Sequence, residues 1–202
     1  MKLEKTCCCI LLLLVTIISA CNSPVNPKPR GYFRIKFPDR EYQTFDKPGY
    51  PYTFEYPVYA TIERDTAFFG GKPENPWWIN VVFPQFDGKI YLSYKKIGNK
   101  YTIQKLVNDA YKMTYENALR ADGIVTEMFQ TPNNVGGLMY KVSGDAATSR
   151  QFFATDSIKN FLRGALYFDH TPNADSIAPV VDFLSKDIWH MLETLKWKKP
   201  AK

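Results

Sequence analysis

Four cysteines are the first residues to weigh, because a thiolate can be a nucleophile, a metal ligand or half of a disulfide. Cys7, Cys8 and Cys9 are adjacent and open an apolar run, and Cys21 follows its end. The chain has two histidines. His190 lies three residues from both Asp187 and Glu193, so the three share one helix face. One imidazole with two carboxylates is a thin metal site, and an exposed helix face with local i,i+3 pairs is the expected reading. Asp169, His170 and Asp175 cluster in a loop ahead of a helix, where turn-forming and capping chemistry accounts for them. Gly-x-Ser-x-Gly, His-Glu-x-x-His, P-loop and Gly-x-Gly-x-x-Gly strings are absent. A carboxylate pair for glycoside cleavage needs no fixed spacing and stays a third-ranked reading. No catalytic residue, no cofactor and no metal is therefore expected. The remaining candidate is Trp77-Trp78 beside Pro76, as a ligand or partner surface. Neighbours on a strand point to opposite faces, so a sheet core takes one of the pair and the other must find a helix, a loop or a ligand.

The 202 residues suit one domain with a real core. Hydrophobic residues at 45% and charged residues at 23% argue against wholesale disorder. The aromatic share is high, with 13 Tyr, 14 Phe and 4 Trp, none of them before Tyr32. Tyr and Phe form strands well, so an aromatic core competes with a binding surface as the account of that excess.

Lys2 and Lys5 precede an apolar run that ends near Ile18. It is shorter than the ~20 residues that span a bilayer, and it reads as the core of a signal peptide over residues 1–20. Ile18-Ser19-Ala20-Cys21 resembles the lipobox of bacterial lipoproteins. That resemblance implies cleavage before Cys21 and a diacylglycerol thioether on its sulfur. Cleavage removes the other three cysteines and, with Lys2, Lys5 and Glu4 gone, takes the net charge from +6 to +5. The expected location is membrane-anchored and extracytoplasmic, where the anionic neighbours of a basic protein are lipid headgroups, lipopolysaccharide, peptidoglycan or acidic proteins rather than nucleic acid. Residues 21–31, with three prolines and one glycine, read as a short extended tether.

The elements that position these residues follow from periodicity. Alternation marks strands at 32–37, 52–56, 58–64, 78–83 and 89–96, with Asp87-Gly88 as a hairpin signal. Helical spacing runs from Ile103 to Ala121, with Thr102 as its cap and Asp122-Gly123 as its stop. Strands follow at 124–130, 137–143, 149–155 and 161–168. A last helix carries Ile177, Val181, Leu184, Ile188, Met191 and Leu195 on its buried stripe, with Ser176 as its cap and Lys196, Lys198 and Lys199 at its negative end. Consecutive strands with tight turns imply an antiparallel sheet. The expected fold is α+β over residues 32–202, with two long helices packed against that sheet, Mog1/PsbP-like in pattern.

Pro27-Lys28-Pro29-Arg30-Gly31-Tyr32-Phe33-Arg34-Ile35, soon after Cys21, resembles the gliding motility lipoprotein GldD family of Bacteroidetes. Tyr50-Pro51-Tyr52-Thr53-Phe54-Glu55-Tyr56-Pro57, Trp77-Trp78-Ile79-Asn80, Gly164-Ala165-Leu166-Tyr167-Phe168 and Pro179-Val180-Val181-Asp182-Phe183 extend the resemblance. It implies an envelope lipoprotein serving surface gliding and the associated type IX secretion, with machinery proteins as partners. The family assigns no catalytic residue, so Cys21 alone carries over. No acidic run follows Cys21, which favours a periplasm-facing domain. A glycan-binding lipoprotein using Trp77 or Trp78 is the alternative.

Overall fold

A run of alternating apolar residues buries one side of a strand, and this chain has enough such runs to build a large sheet and a small one. The computed structural model describes residues 34–66, 72–116, 118, 120–169, 171 and 173–199. Cys21, the signal peptide, the tether, residues 67–71 and His170 lie outside them. One unit, Lys36–Lys202, carries every element below.

In chain order these are β1 (Tyr42–Phe45), β2 (Tyr52–Pro57), β3 (Thr61–Arg64), β4 (Ile79–Phe83), β5 (Gly88–Lys96), α1 (Ile103–Glu116), β6 (Ala121–Gln130), β7 (Gly136–Gly144), β8 (Thr148–Thr155), β9 (Asn160–Phe168), α2 (Ala174–Thr194) and β10 (Lys196–Trp197). The large sheet has the order β3-β4-β5-β9-β8-β7-β6, and the small one β1-β2-β10. Every pairing in both is antiparallel. The α+β class therefore holds, with two sheets where one was expected.

The helices cover opposite faces of the large sheet. Leu106 and Ala110 of α1 pack on Tyr140, Phe153 and Phe161. On the other face Arg150 reaches Ser185 of α2 at 2.9 Å, and Phe129 meets Trp189 edge-on. The small sheet packs beside α2, Tyr52 lying 5.8 Å from Tyr94 of β5. Val181, Leu184, Ile188, Met191 and Leu195 are buried as the helical spacing requires. Gly164 faces Phe152 across β9 and β8, and a Cβ there would stand 2.1 Å from the phenyl ring, so the strand needs glycine for that ring to lie flat.

Several elements differ from expectation. Residues 34–41 form no strand; Phe37 instead stacks on Phe183 of α2 at 4.4 Å, so its apolar face is buried without backbone pairing. Thr102 does cap α1, accepting from the Lys105 amide, but α1 stops at Glu116 and Gly123 lies in β6, beside a slip in register. Asn173 caps α2 by accepting the Ser176 amide, so Ser176 is the capped residue and not the cap. Lys196 opens β10 instead of completing the last helical turn, which has no basic residue.

Because all strands of the large sheet are antiparallel, its loops gather at two ends. The chain enters Lys36–Lys202 at one of them: the Lys36 carbonyl accepts from Gln85 Nε2 (3.0 Å) and Phe37 meets Phe86, in the turn between β4 and β5. The other end holds Arg64, Ile79, Lys96 and Asn160. The nine residues of β5 separate the two by about 27 Å, at ~3.3 Å per residue.

Candidate functional site

The structure separates the two tryptophans. Trp78 is 6% exposed, and its indole N–H donates to the Tyr94 carbonyl at 2.8 Å. Trp77 stays at the rim. Its N–H donates to the Gly49 carbonyl (2.8 Å), its ring stands edge-on to Tyr94 at 5.5 Å, and its carbonyl accepts from Tyr52. These bonds lock its ring beside a cavity of about 160 Å³ lined by Glu74, Asn75, Trp77, Lys95, Lys96 and Tyr101. Asn75 is tied on both sides, donating to the Tyr94 carbonyl and accepting the Trp77 amide, which fixes the loop that carries the site.

Charge in this cavity is uneven. Glu74 accepts from Lys100 at 2.8 Å and from the Tyr101 hydroxyl, and lies 3.6 Å from Lys95. Partial burial works against ionisation, but the Lys100 and Tyr101 hydrogen bonds outweigh it and hold the carboxyl below its ordinary range. Lys95, Lys100 and Lys105 place their ammonium groups 4.5, 4.8 and 5.7 Å from the Tyr101 ring. Bonding to Glu74 first, then to Tyr101, pushes Lys100 up.

A second polar centre lies on α2, and sequence spacing missed it. Asp187 is 2% exposed and not on an open helix face. Arg40 Nε lies 3.3 Å from its Oδ1, Tyr42 donates at 3.0 Å, and Tyr59 donates to Oδ2. Arg40 also donates to the Phe183 carbonyl (2.9 Å) and lies 4.1 Å over the Phe183 ring. Burial, then the bond to Asp187, raises the Tyr42 hydroxyl to about 12 and pushes Tyr59 up further. His190 stacks on Tyr42 and pairs with Glu55 at 2.7 Å. Glu193 joins neither; its carbonyl accepts from Asn133. The expected i,i+3 pairing on an open face is thus overturned: the partners come from residues 40 to 59, more than a hundred positions away. Among the described residues no group of three His, Cys, Asp or Glu could hold a metal ion. Asp169 pairs with Lys89 at 3.3 Å.

The fold and its polar centres define an α+β domain with the Asp187 carboxylate sealed inside and an aromatic, lysine-rich cavity open to solvent. Among the described residues no helix is long and apolar enough to cross a membrane. The family model for gliding motility lipoprotein GldD matches residues 22–197, and the chain belongs to that family. With the family come a role in gliding motility and a lipoprotein's attachment to a membrane outside the cytoplasm. Among curated proteins no match is found. The solution structure of cyanobacterial PsbP (CyanoP) from Synechocystis sp. PCC 6803 is similar at 13% identity and a TM-score of 0.49, over 87% of this chain and 100% of that one.

Proposed function

We propose that the chain is cleaved before Cys21, held in the envelope by a diacyl group on that sulfur, and acts by protein contacts in assembling or stabilising the gliding machinery and the associated type IX secretion. The family match over residues 22–197 supports this reading, and it starts immediately after Cys21. Two acyl chains hold a domain firmly, each buried CH₂ contributing about 0.8 kcal/mol. The absence of an acidic run after Cys21 favours a domain facing the periplasm. A clean deletion of the gene is expected to abolish colony spreading and surface exposure of secreted adhesins; normal spreading in that strain overturns the reading. Labelling with palmitate tests the anchor separately, since label surviving Cys21→Ala places the lipid elsewhere. Protease added to intact cells is expected to leave the domain whole.

A further inference from the structure

The lysines around Tyr101 are not balanced by their surroundings. Lys95 and Lys100 share the Glu74 carboxylate, Lys96 and Lys105 add two exposed cations beside them, and three of the four ammonium groups crowd one ring. Two other acidic side chains have partners of their own. Asp46 pairs with Lys198, and Asp156 accepts the backbone amides of Ile158, Lys159 and Asn160. Like charges this close repel, and an anion between them relieves that repulsion.

We propose that this cavity binds a carboxylate-bearing glycan, one sugar ring lying against Trp77 and Tyr101 while its acid groups meet Lys95, Lys96, Lys100 and Lys105. Two observations carry the assignment. The cavity of about 160 Å³ is well under the ~300–1,000 Å³ of a drug-sized site, so it takes one ring of a longer polymer. Its walls set the Trp77 ring beside the Lys95 and Lys96 side chains, a pairing that suits a sugar with an apolar face and an acid group. The inference is independent of the secretion role proposed above.

The test uses the full-length lipoprotein in detergent, sedimented with isolated peptidoglycan sacculi. Native sacculi are expected to carry it down, and sacculi whose carboxyls have been amidated with carbodiimide are expected to retain about a tenth as much or less. Trp77→Ala is expected to weaken binding about thirtyfold, as loss of a central aromatic does, with Trp77→Phe restoring most of it. The triple variant Lys96→Gln/Lys100→Gln/Lys105→Gln, all on exposed side chains, reports the charge requirement without touching the core. Circular dichroism of each variant separates lost binding from lost folding. Equal sedimentation with native and amidated sacculi overturns the proposal, as does binding unchanged in the triple variant. Failure to sediment while phosphatidylglycerol vesicles retain the protein also overturns it, and makes the patch a lipid site. Failure with both, together with capture by an acidic envelope protein, overturns it in favour of a protein partner.

Discussion

Asp187 and Glu74 each collect a tyrosine hydroxyl and a basic side chain, yet they stand in opposite settings. Asp187 is sealed on α2, with Arg40 as its cation and two tyrosines filling its remaining oxygen positions. Glu74 keeps its side chain 31% exposed at a cavity mouth and is outnumbered by lysines. The same chemistry becomes a clasp where the charges cancel around a buried carboxylate, and an open, positively charged cavity where they do not. Burial decides the energetics: a buried pair loses heavily when one partner is removed, while exposed pairs contribute little.

Asp187→Ala should therefore cost about 3 kcal/mol, because two tyrosine hydroxyls lose their acceptor while Arg40, partly exposed, can turn to water. Glu74→Ala should cost about 1 kcal/mol or less. Urea unfolding measures both, and equal midpoints would erase the contrast. Next in size, Tyr59→Phe should cost about 1.5–3 kcal/mol, the range for a hydrogen bond to a charged group, with Tyr101→Phe clearly smaller. The clasp also predicts an alkaline response. Tyr42 is raised from its ordinary 10 to about 12, so the unfolded chain releases the proton first. Its contribution is complete below pH 10 and is lost as pH rises toward 12, and Tyr42→Phe should flatten that part of the stability curve. The smallest effect belongs to Glu74, whose carboxyl is lowered. Its contribution is present above the ordinary carboxyl range and lost as pH falls below it. Added salt should abolish this acid limb while leaving the alkaline one in place, because the Glu74 pairs are exposed and screened.

The strands from β4 to β9 and both helices were legible in the sequence because each buries a face with its own period. β1 was not, since Tyr42, Gln43 and Thr44 show no alternation and only Phe45 is fully buried. Residues 34–37 mislead for the converse reason: Phe37 is half-buried, but what it packs on is an α2 ring and not a neighbouring strand. Asp187 was misplaced because local spacing records only neighbours on the helix, while its partners arrive from β1 and the turn after β2. Trp77 was picked out by its pairing with Trp78, but the lysines that give its cavity a character come from β5 and the start of α1. No spacing rule connects those segments; the β4–β5 pairing does.

The route by which the chain enters its fold has a mechanical meaning. Phe37, Arg40 and Tyr42 are all fastened to α2 or to residues it carries, through the Phe183 ring, its carbonyl and Asp187. A pull on the chain ahead of Phe37 meets these residues before it reaches the rest of β1. Those contacts run sideways to a 21-residue helix, so they stand between such a pull and the β1–β2 hydrogen bonds. The clasp acts as the collar on a power cord does, taking the tug at the point of entry so that the wiring behind it stays still.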